Sequence, residues 1–85
     1  MAEEKMIGKI SHYFGNINVG IIELTDNLKT GEKIHIKGAS TDFEQTVDSM
    51  QIDHKDVSEA KSGDAIGIKM GQKIREGDMV YRIME

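Results

Sequence analysis

The stretch Leu28-Lys29-Thr30-Gly31-Glu32-Lys33-Ile34-His35-Ile36-Lys37 decides the fold class. Its second half alternates. Ile34 and Ile36 fall on one face of an extended chain, and Lys33, His35 and Lys37 fall on the other. Its first half is a turn, in which Gly31 takes a left-handed conformation and the polar neighbours stay in water while the next strand starts. The same order (apolar, basic, polar, Gly, acidic, any residue, aliphatic) returns twice. Ala60-Lys61-Ser62-Gly63-Asp64 precedes Ile66, and Ile74-Arg75-Glu76-Gly77-Asp78 precedes Val80. Three turns that each launch a strand predict an all-β chain. A phosphate cradle would need several adjacent backbone donors and a Lys-Ser/Thr pair at a helix start, which none of the three offers.

Composition points the same way. Twelve Ile and four Val stand against two Leu, with nine Gly and no Pro. β-Branched side chains are stiff at χ1 and suit a pleated surface. No window holds apolar residues at helical spacing for three turns. Strands are predicted over 6–14, 19–24, 33–37, 43–54, 65–70 and 79–84. In the stretch 43–54 the apolar parity shifts from Phe43 and Val47 to Met50 and Ile52, which predicts a β-bulge near Asp48-Ser49. The predicted fold is a small, closed, antiparallel β-barrel of six or seven strands, spanning 6–85 as one domain behind a flexible terminus at 1–5. Its expected core is Ile10, Ile21, Ile34, Ile36, Val47, Met50, Ile52, Ile66, Ile68, Val80 and Ile83.

The chain's 85 residues and 9.5 kDa leave room for one core. With 38% hydrophobic and 31% charged residues, the chain belongs among folded rather than disordered sequences. No apolar run reaches a membrane span, and the charged start Met1-Ala2-Glu3-Glu4-Lys5 lacks a signal peptide's apolar stretch, so a cytoplasmic location is expected. Without Cys there is no disulfide, no thiolate nucleophile and no Cys-type zinc site. The net charge of −4 argues against tight non-specific nucleic-acid binding but leaves room for a local basic face. No P-loop and no Gly-x-Gly-x-x-Gly occurs, so neither GTP binding nor GTP hydrolysis is expected. His12, His35 and His54 fall on different predicted strands without metal-ligand spacing, and His35 reads as an exposed residue of its alternating strand. The Ser residues have no base beside them. The chain is therefore expected to be no enzyme and to need no cofactor or metal.

One stretch has unusual chemistry. From Ile34 to His54 the chain carries Lys37, Thr41, Asp42, Phe43, Gln45, Gln51 and His54 around the loop after the strand 33–37. Amide, hydroxyl and aromatic groups on a rigid edge suit RNA ends or peptide backbones, so these seven are the candidate binding residues. A structural reading of the same residues stands beside it, with Thr41-Asp42 as a side-chain-to-backbone turn and Phe43 in the core. Met70, Met79 and Met84 offer either an apolar docking patch or core filling.

Three features are similar to the second domain of translational GTPases: Ile7-Gly8-Lys9-Ile10, the three turns, and Ala65-Ile66-Gly67-Ile68 after the Gly63-Asp64 turn. That domain is a small antiparallel β-barrel in elongation factor Tu, elongation factor G and initiation factor 2. The segments Ile34-His35-Ile36-Lys37-Gly38, Thr41-Asp42-Phe43-Glu44-Gln45 and Ser49-Met50-Gln51-Ile52-Asp53-His54 resemble small stand-alone translation elongation factor-like proteins. A related barrel also occurs at the end of some collagenase-like peptidases. The resemblance implies a translation-protein barrel without a GTPase domain. It also implies a non-catalytic module linked to translation or RNA handling, touching tRNA, ribosomal RNA or a translation-associated protein through Lys37 to His54. The alternative is a detached accessory protein-interaction subunit of a larger enzyme, such as a collagenase-like peptidase or a tRNA-modifying enzyme.

Overall fold

The three repeated turns organise the molecule. The computed structural model describes residues 3–84. Gly31, Gly63 and Gly77 have φ of 92°, 93° and 92°, the left-handed region that glycine enters without strain. Each occupies the third position of a four-residue turn closed by a backbone bond from acid to base: Glu32 to Lys29 (3.3 Å), Asp64 to Lys61 (3.0 Å) and Asp78 to Arg75 (3.2 Å). The acid does a second job. Its carboxylate loops back to accept the N–H of the basic residue: Glu32 from Lys29 (2.7 Å), Asp64 from Lys61 (2.9 Å) and Asp78 from Arg75 (2.9 Å). A charge-assisted bond on each turn explains why the glycine is followed by an acid all three times.

Each turn also fastens a distant segment. The Gly31 N–H donates to Val47 (2.7 Å) while the Val47 N–H donates to Glu32 (2.9 Å). Gly63 and Asp64 hold Leu24 in the same way, and Gly77 and Asp78 hold Ile10. The apolar residues on either side of the turns (Leu28 and Ile34, Ala60 and Ile66, Ile74 and Val80) are all buried. The repeat is thus a structural clamp with both apolar ends in the core; its glycine and basic residue are exposed, and in the third turn the acid, Asp78, is itself buried.

Ten strands follow in chain order: β1 Glu3–Phe14, β2 Val19–Leu24, β3 Leu28–Lys29, β4 Lys33–Lys37, β5 Asp42–Thr46, β6 Met50–Ile52, β7 Lys55–Val57, β8 Glu59–Ala60, β9 Ala65–Lys69 and β10 Met79–Met84. Eight form one antiparallel sheet in the order β5-β4-β10-β1-β2-β9-β6-β7, and β3 pairs with β8. Among the described residues no helix is long and apolar enough to cross a membrane.

The all-β antiparallel expectation holds, but the closed barrel does not. The terminal strands β5 and β7 do not pair, so the sheet is open. The reason lies at residues 47–49. The stretch 43–54 is not one bulged strand but two strands on different neighbours, β5 on β4 and β6 on β9 and β7. Val47 spends its backbone groups on the Gly31 turn, and the chain leaves the ladder there. β6 then meets β9 at a single pair, Gln51 with Gly67. Between β5 and the end of β9 a side chain substitutes for the ladder. The Gln45 carboxamide donates to the Lys69 carbonyl (3.0 Å) and accepts from the Gly71 N–H (2.9 Å).

The bulges fall in β1 instead, at Ile7 and Ser11, where the register shifts against β10 and β2. They put Ile7, Gly8 and Ile10 all in the interior. The segment 1–5, expected to be flexible, includes Glu3, Glu4 and Lys5 opposite Met84, Ile83 and Arg82; residues 1–2 lie outside the described residues.

Of the expected core, Ile10, Ile34, Ile36, Val47, Met50, Ile66, Ile68 and Val80 are buried, whereas Ile21, Ile52 and Ile83 are only half-buried. In β2 it is Gly20, Ile22 and Leu24 that face inward, the opposite parity to the one expected from Ile21. Ile7, Ile74 and Met70 complete the interior, so Met70 is core rather than patch.

Candidate functional site

The seven candidate binding residues do not converge. Lys37, Thr41, Asp42, Phe43 and Gln45 belong to the β4–β5 end of the sheet order, while Gln51 and His54 belong to the β6–β7 end. Phe43 is core, and Thr41 is buried with its carbonyl accepting the Gly38 N–H (2.7 Å). Gln45 bridges the seam just described. Gln51 donates to Asp56 (3.0 Å) across the β6–β7 hairpin. His54 and Asp53 have φ of 65° and 57° and form the two-residue loop between the paired Ile52 and Lys55. Positive φ at both central residues is the geometry of a hairpin turn that matches strand twist. The stretch from Lys37 to His54 thus runs through two regions of the sheet rather than along one.

The first region is built around His35. The outer faces of β5, β4, β10 and β1 align Glu44, His35, Tyr81 and Met6 across the sheet. His35 is not the exposed residue its alternation suggested; it is 8% exposed, covered by the side chains around it. Glu4 of β1 faces its Nδ1, and Asp42 of β5 faces its Nε2. A neutral imidazole has one N–H, so only the protonated ring donates to both carboxylates. Burial works against that charge, but the hydrogen bonds and charges of Asp42 and Glu4 outweigh it and raise the His35 pKa above 6.5. The hydrogen bonds with His35 hold Glu4 and Asp42 below their ordinary 4.5 and 3.8.

Lys37 approaches Glu4 (3.4 Å) and lies 5.5 Å from the centre of the Tyr81 ring. Glu4, His35 and Glu44 bring ligand atoms within 4.8 Å of one another, a donor set able to take a divalent ion. Its charges are already matched, because both His35 nitrogens are occupied, Lys37 serves Glu4 and Lys33 lies 3.9 Å from Glu44. The cluster reads as an ion-pair network that ties β1, β4 and β5 together.

This network predicts a pH signature. The raised His35 pKa adds stability that is fully present below 6.5 and lost as pH rises through the folded value. The depressed Glu4 and Asp42 values add stability that is present above 4.5 and lost as pH falls through theirs. The melting-temperature gap between wild type and His35→Gln is therefore expected to peak at pH 5–6.5, at roughly 5 °C, the size of one net hydrogen bond in a small domain. The gap should shrink by pH 9. A gap that widens toward alkaline pH would show that the neutral ring holds the network.

The second region is apolar. Val19 and Ile21 stand on the face of β2 opposite its buried residues, and Gly67 of β9 lies beside them. Phe14 and Ile17, at the tip of the β1–β2 hairpin, are 49% and 60% exposed. Asp53 and His54 form the other rim of a groove of about 340 Å³. Of the seven candidate residues, Gln51 and His54 line this groove; its apolar floor does not stand out in the sequence, where Ile21 reads as core. The available signal was Val19-Gly20-Ile21-Ile22, apolar on both faces, as in a strand covered on both sides.

Comparison with known proteins gives a consistent picture. No family model matches the chain. A protein described as an uncharacterized protease of Methanocaldococcus jannaschii is 44% identical over 80 residues, 93% of this chain. The chain spans about a fifth of that curated relative's length, 20%. Among solved structures, the C-terminal domain of a U32 peptidase of Geobacillus thermoleovorans superposes with a TM-score of 0.86 at 11% identity, over 92% of this chain and 91% of that one. The selenomethionine variant of the same domain gives 0.85 at 11%, over 89% and 96%. These likenesses overturn the resemblance to elongation factor-like proteins and to the second domain of translational GTPases. The turns and the Ile-Gly-Ile strand that carried it are solutions to strand geometry, and they recur here in a fold shared with a peptidase's terminal domain.

Proposed function

We propose that this chain is a non-catalytic accessory domain that works by docking on a peptidase module. One observation carries the reading: identity of 44% runs through nearly the whole chain but covers only 20% of the protease it matches. A unit like this one therefore sits beside a much longer remainder in that relative. The fold's occurrence as the C-terminal domain of a U32 peptidase supports the same arrangement. This is the accessory-subunit alternative of the sequence reading, with a peptidase as the larger enzyme.

The side chains support a binding role rather than chemistry. His12 meets Glu76, His35 is held by Glu4 and Asp42, and Ser11 donates to the Ile21 carbonyl. No hydroxyl–imidazole pair occurs among the hydrogen bonds of the described residues, so the nucleophile–base geometry of a serine hydrolase is missing. Two measurements test the reading. The purified chain alone should leave casein and gelatin uncut. As tagged bait in a lysate of its native cells, it should retain a polypeptide whose peptide masses identify a U32-type peptidase, after ribonuclease treatment and at high salt. Hydrolysis by the chain itself, or retention of RNA alone, would overturn the proposal.

A further inference from the structure

The groove between the β1–β2 hairpin and the β6–β7 turn lies on the outer face of the sheet, away from the buried core. We propose that it is the docking surface, and that it receives an apolar side chain from the peptidase module. The inference rests on the accessory-domain reading above and names the site through which it acts.

Three observations carry it. First, β2 is apolar on both faces over residues 19–22, and the outer row turns polar only at Glu23, away from the hairpin tip. Gly20, Ile22 and Leu24 fill the interior, while Val19 and Ile21 form the groove floor on the outside. A strand facing water on one side normally alternates apolar with polar, and one covered on both sides does not. Among the described residues, the walls over that outer face come from Phe14 and Ile17 of one hairpin and from Gln51, Asp53 and His54 of the other. The floor continues at Gly67, which leaves it open beside Ile21 and Val19.

Second, two of the three large, exposed hydrophobic residues among those described, Phe14 and Ile17, stand together on the wall of this groove. They are presented firmly. The Ile17 N–H donates to the Phe14 carbonyl (3.2 Å), the Tyr13 hydroxyl to the Asn18 side chain (3.1 Å), and the Met70 N–H to the Asn18 carbonyl (2.6 Å). A tip tied down on both sides loses little freedom when a partner covers it. The polar groups lie at the rim, where Asp53 and His54 are set by their two-residue turn. An apolar floor with a polar rim is the pattern of an interface core.

Third, the length of the relative favours one occupant over the others. In the M. jannaschii protease the matched segment is 20% of the chain, and the rest of the polypeptide is available to close an apolar face. A second copy of this chain would have to present its own apolar projection to the groove. Of its candidates, Phe14 and Ile17 are themselves the groove wall, so self-docking through them would compete with the site's own lining; Met6, 43% exposed, stands outside the groove, and the crosslinking test below decides on it.

The test uses the full chain with a photo-crosslinking phenylalanine analogue at Ile17, and separately at Lys33 on the β4 side. After irradiation in a lysate of its native cells, adducts are sequenced by mass spectrometry. The expected result is a U32-type peptidase adduct from position 17 and not from position 33. Retention of that peptidase should also fall at least tenfold with Phe14→Ser/Ile17→Ser, whose exposed positions leave the thermal melt intact. If the variant retains the peptidase as well as wild type does, or the adduct forms only from position 33, the groove is the wrong surface while the accessory reading stands. Adducts with a second copy of the chain would also overturn the groove's assignment. If wild type captures no peptidase at all, the accessory reading itself fails.

Discussion

Ile66→Ala is expected to cost about 2–5 kcal/mol of folding stability. Ile66 is fully buried in β9, opposite the fully buried Ile22 of β2, and it follows the Gly63-Asp64 turn that holds Leu24. The substitution removes three carbon atoms, about 2.4 kcal/mol of transfer free energy at about 0.8 per methylene, and leaves a cavity that the clamped turn cannot collapse. A chain of this length has roughly 4–13 kcal/mol of stability in total. The melting temperature should drop by about 10–30 °C, read by circular dichroism and confirmed by the urea midpoint. The control is Ile17→Ala, where a 60%-exposed side chain should change stability by no more than about 0.5 kcal/mol. Equal effects at both positions would show that β9 does not carry the core.

The contrast between these two isoleucines marks how much of the molecule was legible in the sequence. Residue type and local spacing were enough for the turns, because the chemistry of a left-handed Gly followed by an acid is contained in four consecutive residues. The same locality explains why β2, β4 and β10 begin and end where the runs of β-branched and apolar residues between turn signals place them. Ile21 and Ile22 are a different case. Adjacent isoleucines satisfy either parity, and which one is buried depends on the neighbouring β1 with its bulges at Ile7 and Ser11. His35 fails for the same reason on a larger scale. Its strand shows clean alternation, but β10 separates β4 from β1 in the sheet, and only that order lets Glu4 reach across to cover it. The closed barrel was over-read because short strands and regular turns fit an open sheet equally well, and the Val47 clamp that opens the sheet is a contact between distant residues. The proposed docking groove was hidden because its signal, apolar side chains on both faces of one strand, looks like extra core until the sheet's outer face is known.

Gly38→Ala is expected to be as damaging as the loss of a core side chain, at about 3 kcal/mol, the upper end of overpacking costs. The glycine needs no special φ, so the penalty is steric. A Cβ at residue 38 would lie 1.9 Å from Asp78 Oδ1 and 2.6 Å from its Cγ. Asp78 cannot swing aside. It is 4% exposed, its Oδ2 accepts the Arg75 N–H (2.9 Å), and its backbone carbonyl accepts the Ile10 N–H (2.8 Å). The side chain that caps the third turn therefore also sets how close the β4–β5 loop can come, which couples two segments forty residues apart in sequence. A double-mutant cycle isolates the effect. Asp78→Ala alone loses the charge-assisted cap, worth about 1.5–3 kcal/mol. With that carboxylate gone the added methyl group has room, so Gly38→Ala/Asp78→Ala should be little less stable than Asp78→Ala alone. Additive losses in the urea midpoints would mean that the two residues do not touch. A strongly non-additive cycle would establish that this glycine serves the acid of the repeat rather than its own backbone.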